Sequence, residues 1–88
     1  MQASEADLKQ VMADVFRIDP ATIDDSTSVD TVEKWDSLQH LNLVLALEER
    51  FDVSFTEEQT VEILSYPLIR AVLEEHGVRF AEGAAARP

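Results

Sequence analysis

Between Leu38 and Phe51 the chain carries apolar residues on two sides of what reads as a single helix. At about 100° per residue, Leu38, Leu41 and Leu45 make one stripe, and Leu43, Leu47 and Phe51 make a second on roughly the opposite side. Gln39, His40, Asn42, Glu48, Glu49 and Arg50 interrupt the two. Such a helix is either central in a bundle, or packs a core with one side and a partner with the other. Its start is well marked. Asp36 is a strong N-cap, because its carboxylate accepts from the orphan backbone N–H groups of the first turn. Ser37 then becomes the first helical residue, with its hydroxyl at the positive end of the helix dipole. A phosphate esterified to that oxygen would sit at an anion site the backbone already provides.

The segments around this helix read as further helices and one long loop. Residues 4 to 16 are predicted helical: Ser4 caps, Glu5 and Asp7 suit the first turn, and Leu8, Val11, Met12, Val15 and Phe16 keep helical spacing as a core stripe. The helix should stop before Pro20. Residues 17 to 35 are rich in Asp, Ser and Thr, which bond their own backbone and compete with helix. Ile18, Ile23, Val29, Val32 and Trp35 are expected to pin this loop to the core, and a loop so long in a compact domain is often functional. Asp52-Val53-Ser54 breaks the Ser37 helix. Thr56 with Gln59 is a capping box opening a short helix, with Val61 and Leu64 expected inward. Leu64-Ser65-Tyr66-Pro67 turns into a last helix with Leu68, Ile69, Val72 and Leu73 toward the core, closed by Gly77. No strand and no internal repeat is predicted. The expected fold is all-α: a small four-helix bundle with a short third helix and a long loop between helices 1 and 2. The domain is expected over residues 1 to 80, with 81 to 88 a disordered tail.

Composition narrows the chemistry. Eighty-eight residues make one small domain with a modest core. There is no cysteine, so thiol chemistry here would need a sulfur from a cofactor. The net charge of −11 repels nucleic acid and anionic membrane, and favours encounters with basic protein surfaces. The acidic N-terminus is unlike a signal peptide, and no segment is apolar enough to insert stably in a bilayer. A cytoplasmic monomer is the expectation.

Enzymatic and metal readings fit poorly. Asp24, Asp25, Ser26, Ser28 and Asp30 resemble calcium ligands superficially, but the sixth-position glycine and twelfth-position glutamate of an EF-hand loop do not occur together from either aspartate. His40 and His76 are far apart in sequence and have no cysteines to help, which argues against zinc. Ser37 and His40 lie one turn apart on one helix, with no orienting acid or oxyanion hole, which is not a hydrolase constellation. His76 beside Gly77 is read as a cation at a helix C-terminus.

The run Asp36-Ser37-Leu38, then Leu41, Leu43-Val44, Ala46-Leu47-Glu48-Glu49 and Phe51, closely resembles the acyl carrier protein family. The long preceding loop, the acidity, and Ser65 before a closing amphipathic helix fit the same family, and the resemblance runs from about Leu8 to Val78. It implies a four-helix bundle whose serine, here Ser37, receives 4′-phosphopantetheine from coenzyme A through a separate Mg²⁺-dependent phosphopantetheinyl transferase. The arm's thiol would carry acyl groups as thioesters between enzymes of fatty acid, polyketide or specialised lipid synthesis. On this resemblance Asp36 and Leu38 flank the cofactor. Leu38, Leu41 and Leu45 would meet partners, with Asp36, Glu48 and Glu49 as an acidic rim for the basic docking surfaces of acyl-loading and acyl-processing enzymes. Leu43, Leu47 and Phe51 would be core. The protein would be a shuttle and not an enzyme.

The chain departs from the carriers of primary fatty acid synthesis at four places. Gln39 and Asn42 stand where those carriers usually have acids, Arg50 follows Glu48-Glu49 where a third acid is common, and Trp35 replaces a small residue. These differences suggest a dedicated pathway of polyketide, specialised lipid or peptide-type thiotemplate chemistry. His40 is read as a solvated histidine on an exposed face; the sharper alternative brings it, cationic near about pH 6.5, to the phosphodiester. Other readings are an aminoacyl or peptidyl carrier, a small acidic helical adaptor binding a basic protein without cofactor, and a weak calcium regulator using Asp24 to Asp30.

Overall fold

The structure is a computed structural model, and it describes residues 2 to 80, with Gln2 described in its backbone only. The expected tail, 81 to 88, lies outside the described residues. Four helices form the bundle: α1 (Glu5–Phe16), α2 (Ser37–Phe51), α3 (Glu57–Glu62) and α4 (Tyr66–Glu75). A single 3₁₀ turn, Pro20–Thr22, interrupts the long loop. The fold class expected from sequence is the one observed.

Each helix starts where its local chemistry places it. Ser4 and Asp7 form a reciprocal capping box, each side chain bonding the other's backbone N–H at 3.1 Å. Asp36 Oδ1 accepts from the Gln39 N–H at 2.8 Å, so α2 begins at Ser37. Thr56 and Gln59 make the second capping box, at 3.1 and 3.0 Å. Ser65 caps α4, with Pro67 in its first turn. Arg17 and Asp52 end α1 and α2 in the left-handed region, at φ of 57° and 55°. Gly77, at φ 89°, does the same beyond α4, where any side chain would be strained.

The core is continuous. Leu8, Met12 and Phe16 of α1, Leu43, Leu47 and Phe51 of α2, Ile63, and Tyr66, Ile69 and Leu73 of α4 are all essentially inaccessible to solvent. The loop is pinned to it by Ile23 and Trp35, with Ile18 and Val32 partly buried. Its backbone is also tied to the start of α4: the Val29 N–H donates to Leu64 O and the Tyr66 N–H to Thr27 O, both at 2.9 Å.

Several sequence expectations are corrected. Val61 and Leu64 do not point inward; they are 67% and 41% exposed, and Ile63 is buried instead. The cause is the brevity of α3, which ends at Glu62, so helical spacing does not carry through to Leu64. Leu68 is 47% exposed because Tyr66 occupies the buried stripe with Ile69, Val72 and Leu73, leaving Leu68 about 100° off it. Val29 pins the loop through its backbone, while its side chain is exposed. The prediction of no strand also fails at the ends of the described chain. β1 (Gln2–Ala3) and β2 (Arg79–Phe80) pair in parallel, and Phe80 packs edge-on against Phe51 with ring centroids 6.2 Å apart. Two-residue segments have no periodicity to read; they pair because the bundle brings them together.

Polar ties fasten the outer helices. The buried Tyr66 hydroxyl donates to Glu5 Oε1 at 2.6 Å, and Arg70 meets the same carboxylate at 3.2 Å. Burial, reinforced by the bond to Glu5, pushes the Tyr66 phenol well above its ordinary range. Arg50 of α2 donates to Asp7 of α1 at 2.8 Å. The bonds from the Ser4 backbone and hydroxyl, with Arg50 contributing, hold the Asp7 carboxyl below the usual aspartate value.

Candidate functional site

Ser37 stands exposed at the first position of α2. The Asp36 side chain saturates the Gln39 N–H, one of the first-turn donors that a helix cannot satisfy internally. The positive end of the helix and an accessible hydroxyl therefore coincide at one residue. An ester-linked phosphate fits there: the oxygen is open to a modifying enzyme, and the helix terminus favours the charge it would carry.

The residues that follow divide as expected between the two sides of α2. Leu38, Leu41 and Leu45 are 68%, 55% and 56% exposed, whereas Leu43 and Leu47 are fully buried. The outer stripe costs the fold apolar exposure and contributes nothing to its core. Contiguous exposed apolar surface of this kind marks a contact surface. Of the acidic residues, Glu49 is exposed, and Glu48 is half-buried with one carboxylate oxygen accepting from the Phe55 N–H at 2.8 Å. Glu48 thus closes the α2–α3 turn while presenting its other oxygen outward.

A cleft of about 560 Å³ opens beside Ser37. Trp35, Asp36, Ser37 and His40 line it from the loop end and α2, and Val29, Val61 and Leu64 line it from the loop and the α3 exit. Its lining is mostly apolar, and Trp35, only 5% exposed, forms its deepest part.

His40 follows neither sequence reading. It is half-buried, not solvated, and both ring nitrogens are engaged. The Trp35 indole N–H donates to Nδ1 at 3.0 Å, and Nε2 lies 2.6 Å from Thr60 O. An indole N–H can only donate, so Nδ1 is the acceptor and Nε2 carries the hydrogen given to the carbonyl. The two rings stack with an interplanar angle of 20°. The signal was present in the sequence: His40 lies four residues before Val44 and seven before Leu47, on the buried side of α2. The role of Thr60 had no sequence signal, because it acts through its backbone carbonyl.

His76 is also engaged, donating through Nε2 to Gln59 Oε1 at 2.8 Å and lying edge-on to Phe55. The two histidines thus hold the six-residue α3 from neighbouring residues. In the loop, Asp24 accepts from the Ser26 hydroxyl and N–H at 2.6 and 2.9 Å, bonds that lower its pKa. Among the described residues no three His, Cys, Asp or Glu side chains come together as a metal site, and no helix is long and apolar enough to cross a membrane. A family model described as a phosphopantetheine attachment site matches residues 6–74 of the chain.

Proposed function

The chain belongs to the phosphopantetheine-attachment family, and from that premise we propose that Ser37 is the attachment residue of an acyl carrier protein. Members carry a covalently bound 4′-phosphopantetheine, and interact with phosphopantetheinyl transferases and with the enzymes that use the arm. The observation that carries the assignment is the exposed Ser37 hydroxyl at the capped start of α2, next to an exposed leucine stripe.

The bound arm supplies a thiol that holds acyl groups as thioesters, which this cysteine-free chain lacks. The chain's own residues do the rest. Asp36 fixes where α2 begins, and so holds the Ser37 oxygen at the helix terminus. Leu38, Leu41 and Leu45 give an apolar contact beside the attachment point. Glu49 and the free oxygen of Glu48 add negative charge along it, suited to enzymes with basic docking surfaces. The protein acts as a shuttle between enzymes, not as a catalyst. Its net charge of −11 favours an acyl over an aminoacyl or peptidyl cargo.

Intact mass after incubation with coenzyme A and a broad-specificity phosphopantetheinyl transferase tests the assignment. One added phosphopantetheine is expected, and none on Ser37→Ala of equal helicity. No gain on the wild-type protein, repeated with a second and more selective transferase, would leave the leucine stripe as a cofactor-free protein-binding surface.

Gln39 and Asn42 favour a dedicated pathway over primary fatty acid synthesis. They bond each other at 2.8 Å, Asn42 Nδ2 donating to Gln39 Oε1, which makes a neutral patch on the docking side of α2. Changing both to glutamate should raise the rate at which a primary fatty acid ketosynthase uses the carrier. An unchanged rate would refute the pathway assignment and leave the carrier assignment intact.

A further inference from the structure

The cleft beside Ser37 ends in a side-chain barrier that the carrier function does not itself require. Trp35 separates the cleft from the core: its ring lies 4.9 Å from that of Phe16, which is fully buried. His40 joins that barrier to the third helix, accepting from the indole at 3.0 Å and donating to Thr60 O at 2.6 Å. The relay therefore crosses the seam between α2 and α3 immediately inside Ser37. A group entering the core by this route must part the two helices and displace the indole. That leaves a nearly buried N–H donor and a carbonyl without partners, the arrangement folded proteins avoid most strongly. Outside the barrier, by contrast, Val29, Val61 and Leu64 already stand exposed and apolar around the cleft.

Resting on the assignment of Ser37 as the attachment residue, the geometry points to Trp35 and His40 as positioning residues that keep the cargo out of the bundle. The aliphatic part of the cargo lies in the surface cleft against Val29, Val61 and Leu64, where a partner enzyme can take it without opening the core. The occupant is the chain's own acylated arm, because Ser37, its anchor, is itself part of the cleft wall. The same relay accounts for three features that the attachment chemistry leaves unexplained. A bulky tryptophan stands ahead of Asp36, a histidine occupies the buried side of α2, and two valines and a leucine are left in water beside the serine.

The test uses methyl-resolved and amide NMR on protein loaded from octanoyl-coenzyme A by a phosphopantetheinyl transferase, compared with protein carrying the unacylated arm. Mass spectrometry first establishes loading at Ser37; its failure would strike the attachment assignment and not the barrier. On loaded wild-type protein, shift changes are expected at Val29, Val61 and Leu64, with Phe16, Leu43 and Leu47 unmoved. His40→Leu removes both bonds at similar bulk, and should let the changes spread to Phe16 and Leu43. His40→Gln, which can accept from the indole and donate to Thr60 O, should restore the wild-type pattern. If His40→Leu does not fold, Trp35→Phe takes its place, since it removes the indole donor and keeps an aromatic ring. Core shifts in loaded wild-type protein as large as those in the cleft would overturn the proposal. So would an absence of change at both sets, which would put the cargo in water, or a pattern identical in His40→Leu and wild type.

Discussion

The two sides of α2 are built from the same kind of residue and do opposite work. Leu43, Leu47 and Phe51 are sealed against α1 and α4, whereas Leu38, Leu41 and Leu45, interleaved with them, remain more than half exposed. Burying a leucine fully contributes about 1.5–3 kcal/mol, so the inner stripe supplies much of what holds so small a domain together. The outer stripe forgoes that gain. What holds its end of the helix in place is polar: the Asp36 cap, the Glu48 bond to Phe55 and the His40 bond to Thr60. The contrast separates stability from docking within one helix, so that one can be altered without the other.

The largest expected effect would break the contrast if it failed. Leu47→Ala should destabilise the fold by about 2–5 kcal/mol, the range for emptying a packed core site. Leu45→Ala should change stability by no more than about 0.5 kcal/mol, as is usual for surface positions, while slowing transfer to a partner enzyme. Urea unfolding of both proteins, beside a turnover assay, checks the pair. Equal losses of stability would mean that the outer stripe is structural after all.

A smaller effect is expected at the capped end. Asp36→Ala should cost about 1 kcal/mol through loss of the N-cap, measured by the same unfolding curve. Because the cap also sets the position of Ser37, modification by the transferase should slow as well. A stability loss with an unchanged modification rate would show that the serine is held by something other than the start of the helix.

The smallest effect lies where the two sides meet, at Arg50 and its partner Asp7. The folded-state pKa of Asp7 lies below the ordinary value of 3.8, so its contribution is complete above that value and is lost as the pH falls through the folded pKa. The carboxylate is 38% exposed, which limits the effect through solvent screening. In Asp7→Asn the unfolding free energy should therefore fall less steeply below about pH 4 than in the wild type. Identical acid limbs for the two proteins would show that the Ser4 box and the Arg50 pair contribute nothing measurable.

Legibility from sequence followed the range of each interaction. Ser4, Asp36, Thr56 and Ser65 were all readable as caps because each bonds a backbone N–H only three residues away. The candidate attachment residue was readable for the same reason, since its place at the start of α2 is set by its neighbour. Val61, Leu64 and Leu68 were misassigned because spacing alone cannot say where a short helix stops or which residue takes the buried position. His40 was misassigned for a related reason: on a helix apolar on two sides, a polar residue between the stripes can belong to either.

Residue order within a few positions was thus enough to place four helix starts, the long loop, the exposed serine and the acidic character of the surface. Local hydrogen bonds and side-chain periodicity act before any distant segment arrives. Tertiary structure alone decided that the Leu43 stripe faces inward, that β1 and β2 pair, and that Trp35, His40 and Thr60 form one relay. Those outcomes depend on partners far apart in the chain, 20 residues for His40 with Thr60 and 61 for Glu5 with Tyr66, which only the packed bundle brings within bonding distance.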